Sequence, residues 1–456
     1  MQHLKQQGLL SRAKPNSLPA LLCGLGYAFW SRLPGRSLRR ASGLRLIALL
    51  AGALACNGTP GGVVQRERIV LIVIDTLRRD FLALHGGPAH TPHIDALAAR
   101  GIAAGARASF HQTSMSMAAL FTGRTPSIES STSERPLMWS PNTWCGLARL
   151  AEPGDEACLP SGVRTLGVQM RERGYHTVAV VSNPYLFRPA GFDRGFDAWV
   201  EIGKSNGPRR TVAPLVAARR RDSAHVNRAV ERLLPQLPEG PLFLYVHYLD
   251  VHDWQILGIS YVEAVERADA AVRELLALLE SHGLLEDAAV VLTSDHGESL
   301  GEEHVVKGLP NHAGNPSFET VLDVPLILVG VEDAGRGARL RTEDLFYLLG
   351  RLAGSPPAAS RDLDPDELLL SEGFFRTYRK GRYKSFRARA DDTLILIDLE
   401  ADPAERRNVA DEHPEVAAAH RARVDALSHS LAAPNAMTVP ASSQMLDRLR
   451  QLGYLK

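Results

Sequence analysis

Arg68-Ile-Val-Leu-Ile-Val-Ile-Asp75 is an unbroken apolar run that ends in a carboxylate. Val, Ile and Leu without polar alternation suit a strand buried on both faces, as strands of a parallel sheet are. Four more runs of this kind follow: HTVAVVS over 176–182, PLFLYVH over 241–247, AAVVLTS over 288–294 and VPLILVG over 324–330. Helical patterns lie between them. Residues 91–101 end on a glycine stop, a second helix closes over 168–174, and 261–282 form a long amphipathic stretch. This alternation predicts an α/β fold with helices on both faces of the sheet. Past about residue 360 the texture changes to short polar strands and one late helix, which marks a small second subdomain.

The rest of the chain bounds the reading. Its 456 residues are 45% hydrophobic and 23% charged, ordinary for a globular protein. The near balance of 52 basic and 51 acidic residues averages two unlike parts. Residues 1–55 carry eight basic residues and no acidic one, which leaves 44 basic against 51 acidic for the body. A mildly acidic body argues against nucleic acid as a partner. Within the basic segment, LIALLAGAL over 46–54 is too short to span a bilayer. Followed by Ala55-Cys56, it reads as an export signal that resembles a lipobox, with Cys56 the lipid attachment site. We therefore expect a signal over 1–56, a flexible tether over 57–67, a catalytic domain over 68–355 and a small subdomain over 356–456. The protein is then a periplasmic or cell-surface lipoprotein anchored to the membrane. Cys145 and Cys158, the two body cysteines, can pair in such an oxidising compartment.

Chemistry-bearing residues collect where the strands end. Asp75 ends one run, and Asp295 and His296 end another. The carboxyl ends of such strands are where α/β sheets place their sites. Thr113 precedes a helix-like segment, Ser114-Met-Ser-Met-Ala-Ala-Leu-Phe-Thr-Gly123, so its hydroxyl stands at a helix N-terminus, where ionisation is favoured. Two carboxylates, an imidazole and a hydroxyl can hold a divalent metal, and a coordinated hydroxyl is a strong nucleophile. His252, His304 and His312 lie in later loops and can donate to a tetrahedral anion or protonate a leaving group.

These residues resemble the sulfatase family of the alkaline-phosphatase superfamily. The resemblance rests on Ile74-Asp75-Thr-Leu-Arg-Arg-Asp80, Thr91-Pro-His-Ile-Asp95, Thr122-Gly-Arg-Thr-Pro126, Arg173-Gly-Tyr-His-Thr177, Ser182-Asn-Pro-Tyr185, Gly191-Phe-Asp-Arg-Gly-Phe-Asp197, Ser294-Asp-His-Gly-Glu-Ser-Leu-Gly-Glu-Glu-His304 and Asp323-Val-Pro-Leu326, with a tail match at 398–409. It implies a large mixed, mostly parallel sheet followed by a small antiparallel sheet with a helix. It also implies ester hydrolysis at one divalent metal, Ca²⁺ being usual, with Mn²⁺, Mg²⁺ and Zn²⁺ open. By position Asp75, Asp295 and His296 match the metal residues, with Thr113 joining them. His252 and His312 match residues that contact the transferred anion, and His304 is a weaker candidate for that role.

Two departures shape the function. Thr76 stands where most sulfatases carry a second aspartate. The family's formylglycine signature, Cys or Ser then x-(Pro/Ala)-x-Arg, aligns with Thr113-Ser-Met-Ser-Met117, and no neighbouring register restores it. Thr cannot become formylglycine by that route, so Thr113 itself is the expected nucleophile. The expected activity is hydrolysis of a sulfate or phosphate ester on a glycan, lipid or small molecule. A phosphotransferase or phosphodiesterase of the same fold is the first alternative, and a non-catalytic, metal-dependent binder of anionic glycans or lipid head groups is the second. The export reading carries its own test: mass spectrometry of the mature N-terminus should find a lipid-modified Cys56, and an intact chain beginning at Met1 would overturn it.

Overall fold

The computed structural model describes residues 65–131, 145–155, 157–203, 214–306, 311–312, 317–332, 339–356 and 362–434. The expected export signal, Cys56 and most of the tether lie outside them. Seven strands form one sheet: β1 Arg68–Ile74, β2 Ile102–Arg107, β3 His176–Val181, β4 Ala198–Glu201, β5 Leu242–Tyr248, β6 Ala289–Thr293 and β7 Asp323–Val329. Their order is β2-β7-β6-β1-β5-β3-β4. The five strands β6, β1, β5, β3 and β4 run parallel, whereas β7 is antiparallel to β6 and β2 antiparallel to β7. The five apolar runs became strands with ends shifted by a residue or so. β2 and β4 had no such signal. Both are edge strands, one built of small residues (IAAGAR) and the other of four residues, so neither needs a continuous apolar run.

β1 shows why the sheet is covered on both faces. Its side chains alternate, as strand geometry requires. Ile69, Leu71 and Val73 enter one core with Met117, Leu166 and Leu345. Val70, Ile72 and Ile74 enter the other with Ile94, Val226 and Val265. The first core is closed by α2 Thr113–Thr122, α3 Leu166–Glu172 and α6 Asp344–Leu352. The second is closed by α1 Pro92–Ala98, α4 Ser223–Leu233 and α5 Tyr261–Ser281. α5 opens with a capping arrangement, in which Ser260 Oγ accepts the Glu263 N–H at 3.0 Å. Every residue of α2 is buried, so this helix needs no polar stripe. It is an interior element that carries its N-terminus to the site.

A second sheet, β11-β10-β9-β8, is antiparallel throughout: β8 Glu367–Ser371, β9 Phe375–Lys380, β10 Tyr383–Ala388 and β11 Leu394–Asp398. The late helix α7, Pro414–Ser430, packs on it through Val424 and Leu427 against Leu369 and Tyr378. The two sheets are joined by buried charge. Glu319, just ahead of β7, binds Arg107 of β2, Arg379 of β9 at 2.8 Å and Lys384 of β10 at 3.1 Å. Burial would push this carboxyl up, but the three cations outweigh it and hold it well below the usual range. Glu129 repeats the device with Arg376 and Arg389, each at 2.7 Å.

Cys145 and Cys158 form the expected disulfide, with Cα atoms 5.3 Å apart and both residues in the first core. The bond closes a 13-residue separation in a loop region with little regular structure. Cys145→Ser should therefore cost about 3 kcal/mol in the chain-entropy limit. Calorimetry should show a lowered Tm for the variant, and wild type with reductant should fall to match it. An unchanged Tm in both would show the bond to be energetically idle.

Candidate active site

The sheet register brings the key carboxylates to one level. Val73 of β1 pairs with both His247 of β5 and Thr293 of β6. Asp75 and Asp295 each stand two residues beyond this row, on adjacent parallel strands. The ladder extends past the strand end, since the Asp75 N–H donates to the Tyr248 carbonyl at 3.0 Å. Both aspartates are fully buried.

Asp75 has one saturated oxygen and one bare one. Its Oδ2 meets His247 Nε2 at 3.0 Å, Asn183 Nδ2 at 2.6 Å and the Thr113 hydroxyl at 3.4 Å. The orientation of each partner follows from what its other end does. Asn183 Oδ1 accepts the Tyr185 N–H at 2.9 Å, so the amide NH₂ faces Asp75. Burial pushes the Tyr245 hydroxyl well above its ordinary range, so it stays a donor, and it lies 2.6 Å from His247 Nδ1. His247 then carries its proton on Nε2 and donates it to Asp75. Burial alone would raise Asp75, but the His247 hydrogen bond and the nearby His252 outweigh it and hold the carboxyl below its usual range.

Asp295 mirrors this division. Its Oδ1 accepts the backbone N–H groups of Thr76 at 3.1 Å and His296 at 2.9 Å. Its Oδ2 has no hydrogen-bond partner, and neither does Asp75 Oδ1. Thr76 makes its bond from a left-handed backbone, φ 58°, unusual for a β-branched residue. The conformation is held on three sides: by Asp295, by the Thr76 hydroxyl donating to the Asp75 carbonyl at 2.7 Å, and by the Tyr261 hydroxyl donating to the Thr76 carbonyl at 2.6 Å. The residue in the place of the second aspartate thus spends its side chain on a turn.

His296 Nδ1 donates to the Gly297 carbonyl at 2.8 Å, which leaves a lone pair on Nε2. That nitrogen is 3.4 Å from both Asp295 Oδ2 and Thr113 Oγ1. Asp75 Oδ1 and Asp295 Oδ2 are thus buried without a hydrogen-bond partner, and His296 Nε2 lies beside the second of them. This arrangement fits a cation, and Asp75, His247 and Asp295 form a compact buried group of metal-ligating type. By the tautomer above, His247 serves the group by orienting Asp75.

Thr113 is the first residue of α2, and its hydroxyl does not cap that helix. Oγ1 instead meets Asp75, His296 and Asn183, the last at 3.3 Å. Behind it stand two of the three loop histidines. The ring of His312 is 4.6 Å from His296 and 5.5 Å from His252. His312 Nδ1 bonds the Glu298 carboxylate at 3.2 Å, and His252 Nδ1 bonds Asp253 at 3.0 Å. Burial works against a charged His252, but Asp253 and Asp75 raise its pKa. His304 turns elsewhere: its Nδ1 bonds the Ala404 carbonyl at 2.9 Å and its ring stacks on Phe318 at 3.8 Å. Those partners belong to the junction with the small sheet, so the structure does not bring His304 to the Asp75 group.

Three residues of the site carried no assigned role in the sequence reading. His247 and Asn183 follow or end predicted strands, a positional signal that both share with Asp75. Tyr245 sits inside an apolar run, where nothing distinguishes it from a core residue.

Comparison with known proteins agrees with this geometry. The sulfatase family matches residues 67–336. Among curated proteins, the low-salt glycan biosynthesis sulfotransferase Agl7 of Haloferax volcanii is 30% identical over 159 residues, which cover 32% of this chain and 38% of that protein. The steryl-sulfatase of Mus musculus is 27% identical over 270 residues, 45% of this chain and 42% of that one. The chain thus spans less than half the length of either relative. Among solved structures, a 2-O GAG sulfatase superimposes with TM-score 0.62 at 18% identity, over 80% of this chain and 93% of its own. The phosphonate monoester hydrolase of Agrobacterium radiobacter gives 0.54 at 17% identity, over 80% and 96%. These two likenesses bear on the fold alone. The match over 67–336 covers more than half of the sequence and every strand of the large sheet, and by it the chain belongs to the sulfatase family.

Proposed function

We propose that the protein is a metal-dependent hydrolase of anionic phosphate or sulfate esters in which Thr113 is the nucleophile. The observation that carries this reading is the Thr113 hydroxyl, set among Asp75, His296 and Asn183 at the N-terminus of a buried helix. Asp75, Asp295 and His296 would hold the cation, with Thr113 as a further ligand. When bound, it would neutralise charge on the alkoxide and on the ester oxygens. Two carboxylates with a hydroxyl and an imidazole suit Zn²⁺ or Mn²⁺ better than Ca²⁺, which takes oxygen ligands.

The chain's own groups do the rest. Asn183 and the helix N-terminus favour the ionised hydroxyl of Thr113. That oxygen attacks the central atom of the ester and forms a covalent ester on Thr113. His252 and His312 hold oxygens of the transferred group, each fixed by a carboxylate at Nδ1. Water then clears the Thr113 ester. This step favours phosphate over sulfate: a formylglycine hydrate can expel sulfate by collapsing to an aldehyde, whereas a plain threonine sulfate has no such exit. A phosphotransferase follows from the same chemistry if an acceptor alcohol replaces the water. The substrate class includes glycans: one structural relative is complexed with D-glucosamine-2-N,6-O-disulfate and another with a neocarrahexaose, and the shared fold supports a similar anionic substrate here. The reading of 1–56 as an exported lipoprotein signal would place the enzyme at a membrane surface.

Two experiments bear on this. Asp75→Asn and Asp295→Asn should each strip the protein of stoichiometric metal, read by elemental analysis of purified protein, and a retained ion would move the metal site elsewhere. On 4-nitrophenyl phosphate, 4-nitrophenyl sulfate and bis-4-nitrophenyl phosphate, Thr113→Ala should lower kcat by ~10³-fold or more while Thr113→Ser keeps part of the activity. Near-native turnover by Thr113→Ala would mean direct water attack.

A further inference from the structure

The ion network between the two sheets holds more cations than carboxylates. Among the described residues, Arg79, Arg107, Arg339, Arg379 and Lys384 meet Asp323, Glu319 and Glu405, five positive charges against three negative. Arg79 Nη2 binds Asp323 Oδ2 at 2.7 Å, and Arg339 binds the other oxygen of the same carboxylate. Lys384 Nζ is divided between Glu319 at 3.1 Å and Glu405 at 2.8 Å. A bridge that only joined the sheets would need no such excess.

The network stands on the edge of the large sheet that carries the candidate active site. Arg107 ends β2 opposite Asp323, the first residue of β7, and Arg79 follows β1. β7 is antiparallel to β6, so Asp323 lies at the edge where β6 leads to Asp295. β2 is two strands from β6, roughly 10 Å by the spacing of strands. Gly105 of β2 clears the ground for the arginines. A Cβ there would stand 2.5 Å from Arg339 Nη2 and 3.0 Å from Arg79 Cδ and Nε, so both side chains lie against the β2 backbone. They keep 30% and 33% of their surface, for Arg79 and Arg339, in solvent. Burial, and then the charge of Arg107 with those of Arg79 and Arg379, pushes Arg339 down to about 9. Like charges gathered away from water are costly until an opposite charge joins them.

We propose that this network is a second anion site, built for a tetrahedral oxyanion such as sulfate or phosphate, either free in solution or carried as a further ester on a glycan. Arg79 and Arg339 are its reachable donors, and the more deeply buried Arg107 adds charge behind them. A guanidinium offers five N–H groups in a planar fork that matches two oxygens of such an anion. Among the described residues, the hydrogen bonds of Arg339 and Arg107 use one nitrogen each. A doubly charged anion would bring the network to balance. The inference stands apart from the ester-hydrolase reading, since it concerns binding and uses none of Asp75, Thr113, Asp295 and His296.

Isothermal titration calorimetry of the full chain tests this, with sodium sulfate, sodium phosphate and a heparin-derived hexasaccharide as probes at constant ionic strength. Arg339→Gln leaves the Arg79–Asp323 pair in place and touches no residue of the candidate active site, so anion bound there contributes equally to wild type and variant. The substitution should weaken one class of binding site on the order of 10-fold. A loss confined to the hexasaccharide assigns the anion to a glycan, and a loss shared by sulfate or phosphate assigns it to the free ion; either supports the site. Gly105→Asp sets a carboxylate among the guanidiniums. It should give the same loss, and it carries the test should Arg339→Gln not fold. Unchanged affinity of the folded variants for all three probes overturns the site, and a lowered Tm of Arg339→Gln with those affinities intact would leave Arg339 only its bridge to Asp323.

Discussion

Two carboxylates buried side by side set the terms for the rest of this structure. Asp75 and Asp295 are both without solvent exposure, at the ends of adjacent strands. Like charges so placed cost several kcal/mol each unless something offsets them. The protein offsets half of the problem itself. One oxygen of each aspartate is saturated by backbone N–H groups, an amide or an imidazole. The other oxygen of each is bare. That division leaves two carboxylate oxygens available to a cation, as metal-ligating groups require. The Glu319 cluster between the two sheets is the contrast: there three cations of the chain itself converge on one carboxylate.

The cost reaches beyond the carboxylates. Thr76 is held in a left-handed conformation so that its N–H can meet Asp295, and Tyr261 from α5 braces it. A hydroxyl chain from Tyr245 through His247 fixes which oxygen of Asp75 is filled. Helix α2 is buried on every side, which pins Thr113 where a surface helix could shift. Packing, strain and hydrogen bonds thus converge on the same few atoms, which holds them in one arrangement. The outer histidines follow this logic at one remove, each committed at Nδ1 to its own carboxylate.

Much of this was legible in the chain. The run from Arg68 to Ile74 could only be a strand buried on both sides, and the side-chain alternation of β1 into two cores bears that out. Asp75, Asp295 and His296 were legible because strand ends in a parallel sheet meet along one edge. Thr113 was legible because a hydroxyl precedes an apolar helix. The edge strands β2 and β4 were not, since an edge strand buries too little to write an apolar pattern. Nor was the placement of His304. It closes the same stretch that begins at the site with Asp295 and His296, yet by His304 the loop has already crossed to the small sheet.

The sequence by itself determined the order of the five apolar strands, the strand-end position of the carboxylates and the two cysteines able to pair. Those follow from local periodicity and from the few residues of each reactive type. The tertiary structure decided which oxygen of each aspartate is bare, which partner each histidine nitrogen meets, and that Asn183 and Tyr245 stand in the hydrogen-bond chain around Asp75. These are matters of hydrogen-bond partners far apart in the chain. A side chain's chemistry lists what it can donate or accept, but only the fold says which neighbour is there to answer.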